Sequence, residues 1–501
     1  DELSCIISTN VLNLLNSLPQ NGKPKVETSA EFTILTAIVA CKGNLVTSTA
    51  QVQTITLATG TKCIGRDIFL SNIYGCFLHD SHAEVIARRS FQCYLLRWLN
   101  MIASNEVIDE AISYDFCPFV ISNKKSVKIR EDLRFYLYTS DSPCGSASVY
   151  HTTSIVDVTN GKYLNLTGAK PLSFTDKIVE SSTALSNQNQ VTVAAAATLR
   201  TKSGRNDIIA GRRTMSLSCS DKICRWMRQG LQGSLLSSIL SEPVTLHGIV
   251  IDRDPLAVTA ADQQDAAQKA FSRGRSNGLV VCISEQTGFQ RSKAAVKHHL
   301  FMQQQQKVEQ QPYQQKEESS NRKRKRNHTT AGLTGQPCGY SLNWILDVPC
   351  GPGSRSNGER GSREVACAGG SLEVTIAQGG LLQGSCVPCD NVDTTIGNQD
   401  ADAVKSDKIR ALQMRCASRL SRQRMTQLFS IVVSKLGIQP RPIVTKDDSM
   451  GRCDDGTYRW WKESYRSEWY EEALKDFFTT APFDGWPRSN PCTGSYAAKI
   501  I

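Results

Sequence analysis

The sequence predicts an α/β layered fold, because buried strand patterns alternate along the chain with long amphipathic helix patterns. Apolar runs typical of buried strands occupy 32–41, 134–140 and 244–251. Apolar residues at helical spacing occupy 82–103, 220–240 and about 458–478. With 501 residues, 40% of them hydrophobic, the chain is long enough for one large core or for two to three ordinary domains.

The helix predicted over 82–103 begins in the stretch DSHAEVIARR. Ser81 and Glu84 form a capping-box pattern, in which each side chain satisfies a free amide at the helix N-terminus. The same stretch also contains His82 two residues before Glu84, which is the spacing of a zinc ligand and a general acid/base in nucleobase deaminases. These residues alone leave both interpretations open, a plain capped helix or half of a zinc–water site.

The strand over 134–140 is followed by the turn Ser-Pro-Cys-Gly, with its cysteine at position 144. Zinc-dependent nucleobase deaminases have Pro-Cys-x-x-Cys at such a turn, where the second cysteine completes the ligand set. Here Ala147 stands in the place of that second cysteine. The pattern at 142–150 by itself therefore argues against a generic deaminase.

A replacement ligand precedes the helix predicted over 220–240, where Cys219 is followed by the capping candidates Ser220 and Asp221. The positive end of a helix favours a thiolate, which is the form that binds zinc. A catalytic zinc takes three protein ligands and leaves a fourth position for water. For either cysteine alone, buried apolar packing is the competing interpretation.

Composition favours an intracellular protein with a polyanionic partner. The net charge is +11, from 58 Lys plus Arg against 47 Asp plus Glu, which suits nucleic acid or a phosphorylated small molecule. The 18 cysteines are scattered through the chain and predict reduced thiols. We find neither a long apolar run nor a signal segment, so we expect a soluble protein of the cytoplasm or nucleus without membrane contact.

Three stretches are predicted to be loops or disordered insertions, because their polar composition cannot bury enough apolar surface to offset the cost of ordering: 181–212, 302–330 and 351–402. The second stretch is glutamine-rich and ends in the basic run Arg322–Arg326. That run has the composition of a nuclear import signal or a nucleic-acid tail, and equally of a solvated charged loop.

The displaced third ligand and several short motifs resemble the adenosine-to-inosine RNA-editing deaminases, whose members act on tRNA or on double-stranded RNA. The motifs occur in the family's order over nearly the whole chain: Thr59–Ile64, Asp80–Arg89, Ser142–Gly145, Gly168–Pro171, Ser218–Trp226, Gly233–Leu236, Ser341–Trp344 and Phe483–Trp486. The resemblance implies a single deaminase domain over 1–501, with a cytidine-deaminase-like layered sheet, helices on both faces and a C-terminal helical extension.

The resemblance also implies the reaction and the residues that carry it. His82, Cys144 and Cys219 would hold one zinc ion, while Glu84 would take a proton from water and deliver protons to the base and the departing amine. The product would be inosine.

The family buries one inositol hexakisphosphate as a structural cofactor. The residues that match its binding pattern are Arg88, Arg89, Lys222, Arg225, Trp226, Arg422, Tyr458, Lys462 and Trp486. From the residues alone, Arg88 could instead pair with Glu84 one turn away, and Lys222 and Arg225 could lie on a solvated face.

The chain departs from the family pattern at four substituted positions and by one residue inserted around Leu217, just before the third ligand. His79 replaces an Asn and Ser146 replaces an Asp, which could weaken the support of the zinc ligands. Glu471 and Glu472 stand where the pattern has Gln and Lys, which could weaken the inositol-phosphate site.

The stretches 18–40 and 200–213 resemble the tRNA-acting members, and only about 30 residues precede the first strand, so we expect no additional RNA-binding domain. The implied substrate is the adenosine at position 37, next to the anticodon of alanine tRNA, with Lys62 as a candidate phosphate contact or else an exposed strand-end lysine. Deamination of structured or double-stranded RNA is one alternative. A catalytically inactive scaffold that binds RNA or inositol phosphate is another. The sequence does not indicate an oligomeric state.

Overall fold

The fold is described from a computed structural model. The structure describes the following residues: 2–25, 30–43, 51–71, 74–104, 115–123, 126–152, 163–164, 169–171, 198–202, 214, 216–274, 279–285, 288–309, 335–349, 365–385, 410–442 and 458–486. The basic run at 322–326 lies outside these residues, as does most of each predicted insertion.

An eight-stranded sheet forms the centre of the described structure, in the spatial order β14-β13-β8-β2-β3-β16-β18-β17. The strands are β2 (Leu35–Lys42), β3 (Gln51–Thr59), β8 (Leu133–Thr139), β13 (Leu246–Asp252), β14 (Val280–Ser284), β16 (Tyr340–Leu346), β17 (Val365–Cys367) and β18 (Gly370–Ile376). β8, β13 and β14 run parallel, and the other neighbours are antiparallel. The three predicted strands are confirmed, with bounds shifted by one to three residues.

Short strands complete the architecture around this sheet: β1 (Glu31–Phe32), β4 (Thr61–Cys63), β5 (Asp80–His82), β6 (Phe119–Asn123), β7 (Ser126–Ile129), β9 (His151–Thr152), β10 (Tyr163–Leu164), β11 (Lys170–Pro171), β12 (Arg200–Thr201) and β15 (Gln336–Pro337). β4 pairs antiparallel with β5, and β11 pairs antiparallel with β12.

Both faces of the sheet are covered by helices, as predicted. Alternate residues of β2 belong to different cores: Ile38 and Ala40 pack with helix α3 (Ala83–Ala103), whereas Ala37 and Val39 pack with helix α1 (Glu2–Ser17). Because side chains alternate across a strand, a run of apolar residues is needed when both faces are buried. This explains why 32–41 contains no period-two alternation of polar and apolar residues.

The remaining helices are α2 (Arg66–Ser71), α4 (Cys219–Gln229), α5 (Gly233–Leu236), α6 (Ala260–Ser272), α7 (Lys293–Glu309), α8 (Arg422–Leu436), α9 (Tyr458–Ser464) and α10 (Glu468–Thr479). The last three form the predicted C-terminal helical extension.

Two predicted long helices are each divided. Gly230, with φ of +80°, ends α4, so the helix over 220–240 was predicted too long. Ser467 caps a new helix by accepting a hydrogen bond from the Tyr470 amide, which divides the segment predicted over 458–478. Apolar spacing continues across both breaks and does not reveal them.

Parts of the predicted insertions belong to the ordered fold. β17 and β18 lie within 351–402, and α7 extends to Glu309, inside 302–330. β12 lies within 181–212 and pairs with β11. The loop prediction is therefore wrong for these residues, because tertiary pairing and packing override their polar composition. None of the helices in the described ranges is long and apolar enough to cross a membrane.

Truncation of the α3 core should destabilise the protein. Phe91 is fully buried and its ring centroid lies 5.1 Å from that of Phe135. We expect Phe91→Ala to lower the free energy of unfolding by about 3–5 kcal/mol, because it leaves a cavity. Ile431, 48% exposed on α8, is the control, and Ile431→Ala should change stability by about 0.5 kcal/mol or less. Chemical denaturation measures both, and equal effects would contradict this description of the core.

Candidate active site

His82 and Glu84 lie where a small two-stranded antiparallel sheet meets α3. β4 and β5 pair antiparallel, and the Ala83 amide donates to the Gly60 carbonyl at 3.0 Å. Gly60 allows this approach, since a Cβ there would lie 2.0 Å from the Ser81 carbonyl oxygen. The chain thus passes directly from an extended strand at His82 into the first turn of the helix.

The predicted capping box is not formed. The N-cap residue of α3 is His82, without a side-chain capping bond. In the described part of the chain, Ser81 Oγ and Glu84 Oε2 are buried and have no hydrogen-bond partner. An unpaired buried carboxylate oxygen costs free energy, and it typically indicates a functional group or the site of a bound ligand. Glu84 also makes no ion pair with Arg88 among these residues, so the helical pairing considered for Arg88 is absent.

Cys144 and Cys219 meet although 75 positions separate them. The Cys219 amide donates to Cys144 Sγ at 3.3 Å, and Lys202 Nζ donates to Cys219 Sγ at 3.0 Å. Cys219 is the first residue of α4, and the capping residue is Ser218 rather than the predicted Ser220 or Asp221. Both sulfurs therefore lie at a helix N-terminus, as predicted for Cys219.

The electrostatic environment favours one thiolate in this pair. The hydrogen bond with Cys219 lowers the pKa of the Cys144 thiol to about 6, and Lys202 and His82 act in the same direction. Burial and the neighbouring Cys144 raise the pKa of the Cys219 thiol. The charge of Glu84 acts to raise the pKa of both thiols, so Glu84 lies within electrostatic range of the cysteine pair.

Asp80 connects His82 to two lysines. Its Oδ1 accepts from His82 Nδ1 at 2.8 Å, while Oδ2 accepts from Lys202 at 2.7 Å and from Lys222 at 2.5 Å. Ser216 Oγ donates to the same Oδ2 at 2.6 Å. Burial alone would raise the pKa of this carboxyl, but the two lysines and His82 hold it well below its usual value.

Of the described residues, Cys63, Asp80 and His82 form a compact group of metal-ligand atoms within 4.8 Å of one another. This group differs from the predicted set, because Cys144 and Cys219 form a pair beside it. Asp80 is already engaged by two lysines, so its role is to hold His82 rather than to ligate a cation. One imidazole, two thiols of which one favours the thiolate, and an unpaired carboxylate beside them form a donor set that fits zinc.

The predicted inositol-phosphate residues converge in a second cluster, in which cations lie over aromatic rings. Arg88 lies 5.1 Å from the Trp226 ring, Arg225 5.4 Å from the Trp486 ring, and Arg422 5.3 Å from the Tyr458 ring. Lys462 Nζ lies 5.7 Å from the same tyrosine ring. Three planar guanidinium groups and an ammonium are thus held together at one place.

This cation cluster concentrates positive charge. Burial lowers the pKa of Lys462 to about 7, and Arg225, Arg466, Arg422 and Arg88 add to that effect. Across the described ranges, no carboxylate lies within ion-pairing distance of Arg88, Arg225 or Lys462. Several half-buried cations without a carboxylate partner among the described residues fit a bound polyanion.

Two predicted members have other contacts. Arg89 donates from Nε to the Leu420 carbonyl at 2.7 Å and also contacts Met425, so it fixes the segment before α8. Lys222 bonds Asp80 and, at 2.5 Å, Ser216 Oγ, so its ammonium group is engaged in the Asp80 network. A solvated face is therefore wrong for Lys222.

The departures from the family pattern have distinct surroundings. The His79 ring lies 4.3 Å from that of Phe69, and burial lowers its pKa to about 3, with Lys222 acting in the same direction. Ser146 is buried in a short 3-10 turn that follows the cysteine loop. Glu471, 56% exposed, pairs with Arg466 at 3.5 Å, and Glu472 is exposed. Neither glutamate pairs with Arg88, Arg225 or Lys462.

Sequence reasoning missed Asp80, Lys202 and Ser216. Lys202 lies in a predicted insertion, yet its side chain is 3% exposed and reaches both Asp80 and Cys219. The available signal was the Asp two residues before His82, since a metal-binding histidine normally has a carboxylate partner. Lys62 is partly exposed on β4 opposite Ser81, which fits either interpretation given for it.

Comparison with known proteins identifies relatives. A model of the adenosine-deaminase (editase) domain family matches residues 56–364, more than half of the chain. A tRNA-specific adenosine deaminase 1 from Drosophila melanogaster is 34% identical over 239 residues, covering 46% of this chain and 51% of that protein. The Homo sapiens protein of that name is 29% identical over 350 residues, covering 51% and 65%. A double-stranded RNA-specific editase B2 from Mus musculus is 33% identical over 223 residues, covering 44% and 27%. The chain thus spans about half to two thirds of these tRNA-specific relatives.

The loop that carries Cys144 begins beside a half-buried acid, Asp141. Asp141 Oδ1 accepts from the Ala294 amide at the start of α7 at 2.9 Å, and Oδ2 accepts from Ser140 Oγ at 2.8 Å. Burial raises the pKa of Asp141 to about 7, and Asp254 acts in the same direction. At a pH between these two values, the folded state therefore keeps a proton on Asp141 that the unfolded state, with a pKa of about 3.9, has lost.

Stability should fall as pH rises from about 4 to about 7, because in that window the folded state binds more protons than the unfolded state. Asp141→Asn keeps an acceptor for the Ala294 amide and does not ionise. We therefore expect the free energy of unfolding of this variant, relative to wild type, to increase by about 1 kcal/mol or more from pH 5 to pH 8. Urea denaturation at both pH values measures the difference. A difference that is the same at pH 5 and pH 8 would disprove the raised pKa.

Proposed function

The chain belongs to the adenosine-deaminase (editase) family, and we propose that it catalyses zinc-dependent hydrolytic deamination of adenosine to inosine in tRNA. It would be a hydrolase of the carbon–nitrogen bond of a cyclic amidine. The observation that carries the proposal is the buried, unpaired Oε2 of Glu84 beside His82, Cys144 and Cys219. A structural zinc site normally has four protein ligands and no use for such a carboxylate.

His82, Cys144 and Cys219 would hold the zinc. When bound, zinc supplies the Lewis acidity that brings the pKa of a water molecule toward neutrality. Asp80 keeps the His82 ring in place through Nδ1, and Lys202 donates to the Cys219 sulfur and so partly offsets the burial that raises the pKa of this thiol. The charge of this lysine offsets the negative charge that two thiolates bring into a buried site.

Glu84 moves the protons of the reaction. Its carboxylate accepts a proton from water as the water oxygen adds to the amino-bearing carbon of adenine, and it passes protons to the ring nitrogen and the departing amine. One water enters and one ammonia leaves for each inosine formed. Because the carboxylate is 3% exposed and unpaired, it is available for this transfer in a site of low dielectric.

One inositol hexakisphosphate would occupy the cation cluster as a structural cofactor. Within the described part of the chain, Arg88, Arg225 and Lys462 have no carboxylate partner, and their aromatic neighbours are Trp226, Tyr458 and Trp486. Arg422 and Lys222 extend the cluster toward Asp80. Arg89 would contribute charge, with two of its nitrogens used by the backbone.

The substrate we propose is the adenosine at position 37, next to the anticodon of alanine tRNA. The relatives named for tRNA support tRNA over other RNAs, and the net charge of +11 suits a phosphate backbone, with Lys62 as a weak candidate contact. A loop base is already unpaired, so its extrusion into a pocket costs less than flipping from a duplex. The match to double-stranded RNA-specific editases makes structured RNA the second candidate.

Loss of the Glu84 carboxylate should abolish deamination without loss of metal. We expect Glu84→Gln to lower the rate of inosine formation on a folded alanine-tRNA anticodon arm by at least about 100-fold. About one zinc per chain should remain, because this residue is not a ligand.

Glu468→Gln, at a residue 85% exposed on α10, is the matched control and should retain the wild-type rate. Inosine formation by Glu84→Gln at the wild-type rate would contradict the role of Glu84. Zinc without inosine in wild type would favour an inactive scaffold or another RNA substrate.

Binding of the polyanion should take up protons. With the pKa of Lys462 near 7, this lysine is largely neutral at pH 8 until an anion binds and restores its charge. Titration of polyanion-free protein with inositol hexakisphosphate at pH 8, in buffers of different ionisation enthalpy, measures that uptake. We expect Lys462→Gln to remove the uptake and to weaken binding by about 10-fold or more.

Lys435→Gln is the control for Lys462, because Lys435 bonds Asn100 and Ser104 outside the cluster. It should retain both proton uptake and affinity. Wild-type affinity in Lys462→Gln would exclude this lysine from the polyanion site.

A further inference from the structure

The two cysteines of the candidate zinc site are brought together without the turn that normally joins such a pair. In Pro-Cys-x-x-Cys, the second cysteine lies three residues after the first, at the N-terminus of the same helix. Here that position is Ala147, which is fully buried. Its amide donates a hydrogen bond to Ser220 Oγ at 3.1 Å, so the segment that carries Cys219 docks onto the position of the absent cysteine.

Ser220 makes further contacts with the loop that carries Cys144. Its hydroxyl oxygen lies 3.0 Å from the Pro143 carbonyl oxygen and 3.0 Å from that of Cys144, and it can donate its one proton to either. The Ser220 amide donates to the Cys144 carbonyl at 3.0 Å. The hydroxyl thus connects the backbone on both sides of Cys144 to the residue next to Cys219.

Gly145 allows the two segments to approach closely. Its φ is +113°, and a Cβ at this position would lie 2.3 Å from Ser218 Oγ and 3.1 Å from Ser220 Cβ. Any side chain would push α4 away from the cysteine loop. Gly145 and Ser220 therefore both determine the distance between the loop that carries Cys144 and the N-terminus of α4.

We propose that Ser220 is a positioning residue, whose hydroxyl replaces the missing Cys-x-x-Cys turn and sets the separation of Cys144 and Cys219 for metal binding. This inference rests on the proposed zinc site. A merely structural Ser220 would contribute to stability as any buried, hydrogen-bonded serine does. A positioning Ser220 also determines how tightly and with how many thiolates the metal is held.

Ser237 provides a matched comparison. It is 1% exposed, its hydroxyl donates to the Ser234 carbonyl at 2.7 Å, and it accepts from the Ser467 amide at 3.1 Å. Ser237→Ala and Ser220→Ala therefore each remove a buried hydroxyl that joins two segments. Only Ser220 contacts the cysteine loop.

The test measures zinc release from the full chain to a chromogenic chelator, and the absorption spectrum of the cobalt(II)-substituted protein. We expect Ser220→Ala to release zinc about 10–100-fold faster than wild type and to show weaker thiolate-to-cobalt absorption per cobalt. Ser237→Ala should match wild type in both measurements. Ser220→Thr, which keeps the hydroxyl, should release zinc close to the wild-type rate and covers the case in which the alanine variant does not fold.

Zinc release at the wild-type rate and an unchanged cobalt spectrum in Ser220→Ala would overturn the proposed role of Ser220 but not the proposed function of the site. Equal acceleration in Ser220→Ala and Ser237→Ala would do the same, because it would reflect general destabilisation. A folded wild-type chain that binds no zinc would overturn the proposed function itself, and with it this inference.

Discussion

The carboxylate of Asp80 is the charge on which the candidate site depends. It is 5% exposed, and it joins His82 at the start of α3 to Lys202 after β12 and to Lys222 on α4. A buried charge that loses its partners is strongly destabilising, so these three segments must fold together. Their joint packing orients the His82 ring and brings a cation to the Cys219 sulfur.

The Asp80 carboxylate contacts residues of two candidate sites whose local charges have opposite sign. The metal donors bring negative charge into a buried place, which Lys202 offsets. The cation cluster has excess positive charge, which no carboxylate within the described ranges neutralises at Arg88, Arg225 or Lys462. Lys222 contacts Asp80 and lies on the helix that also carries Arg225. A zinc ion in the first site and a polyanion in the second would each relieve the local excess of charge.

Apolar runs and helical spacing predicted the elements that are buried along their whole length. They did not predict contacts between segments that are distant in sequence. The run at 32–41 and the stripe after His82 identified a central strand and α3, because alternation and helical spacing are local properties. β17 and β18 were not predicted, because the Gly- and Ser-rich composition around them is typical of loops. Lys202 was missed because it lies in a polar stretch. The capping box at Ser81 failed because the chain enters α3 directly from β5, which leaves Glu84 unpaired. Resemblance to a family supplied the ligand set that spacing alone left open.

The central claim is that this site deaminates adenosine in a tRNA loop. The most direct measurement compares inosine formed by the wild-type chain on full-length alanine tRNA with that formed on a perfect RNA duplex of equal adenosine content, under the same conditions. We expect inosine at the base next to the anticodon and little on the duplex. Equal or greater conversion of the duplex, with the tRNA base unchanged, would contradict it.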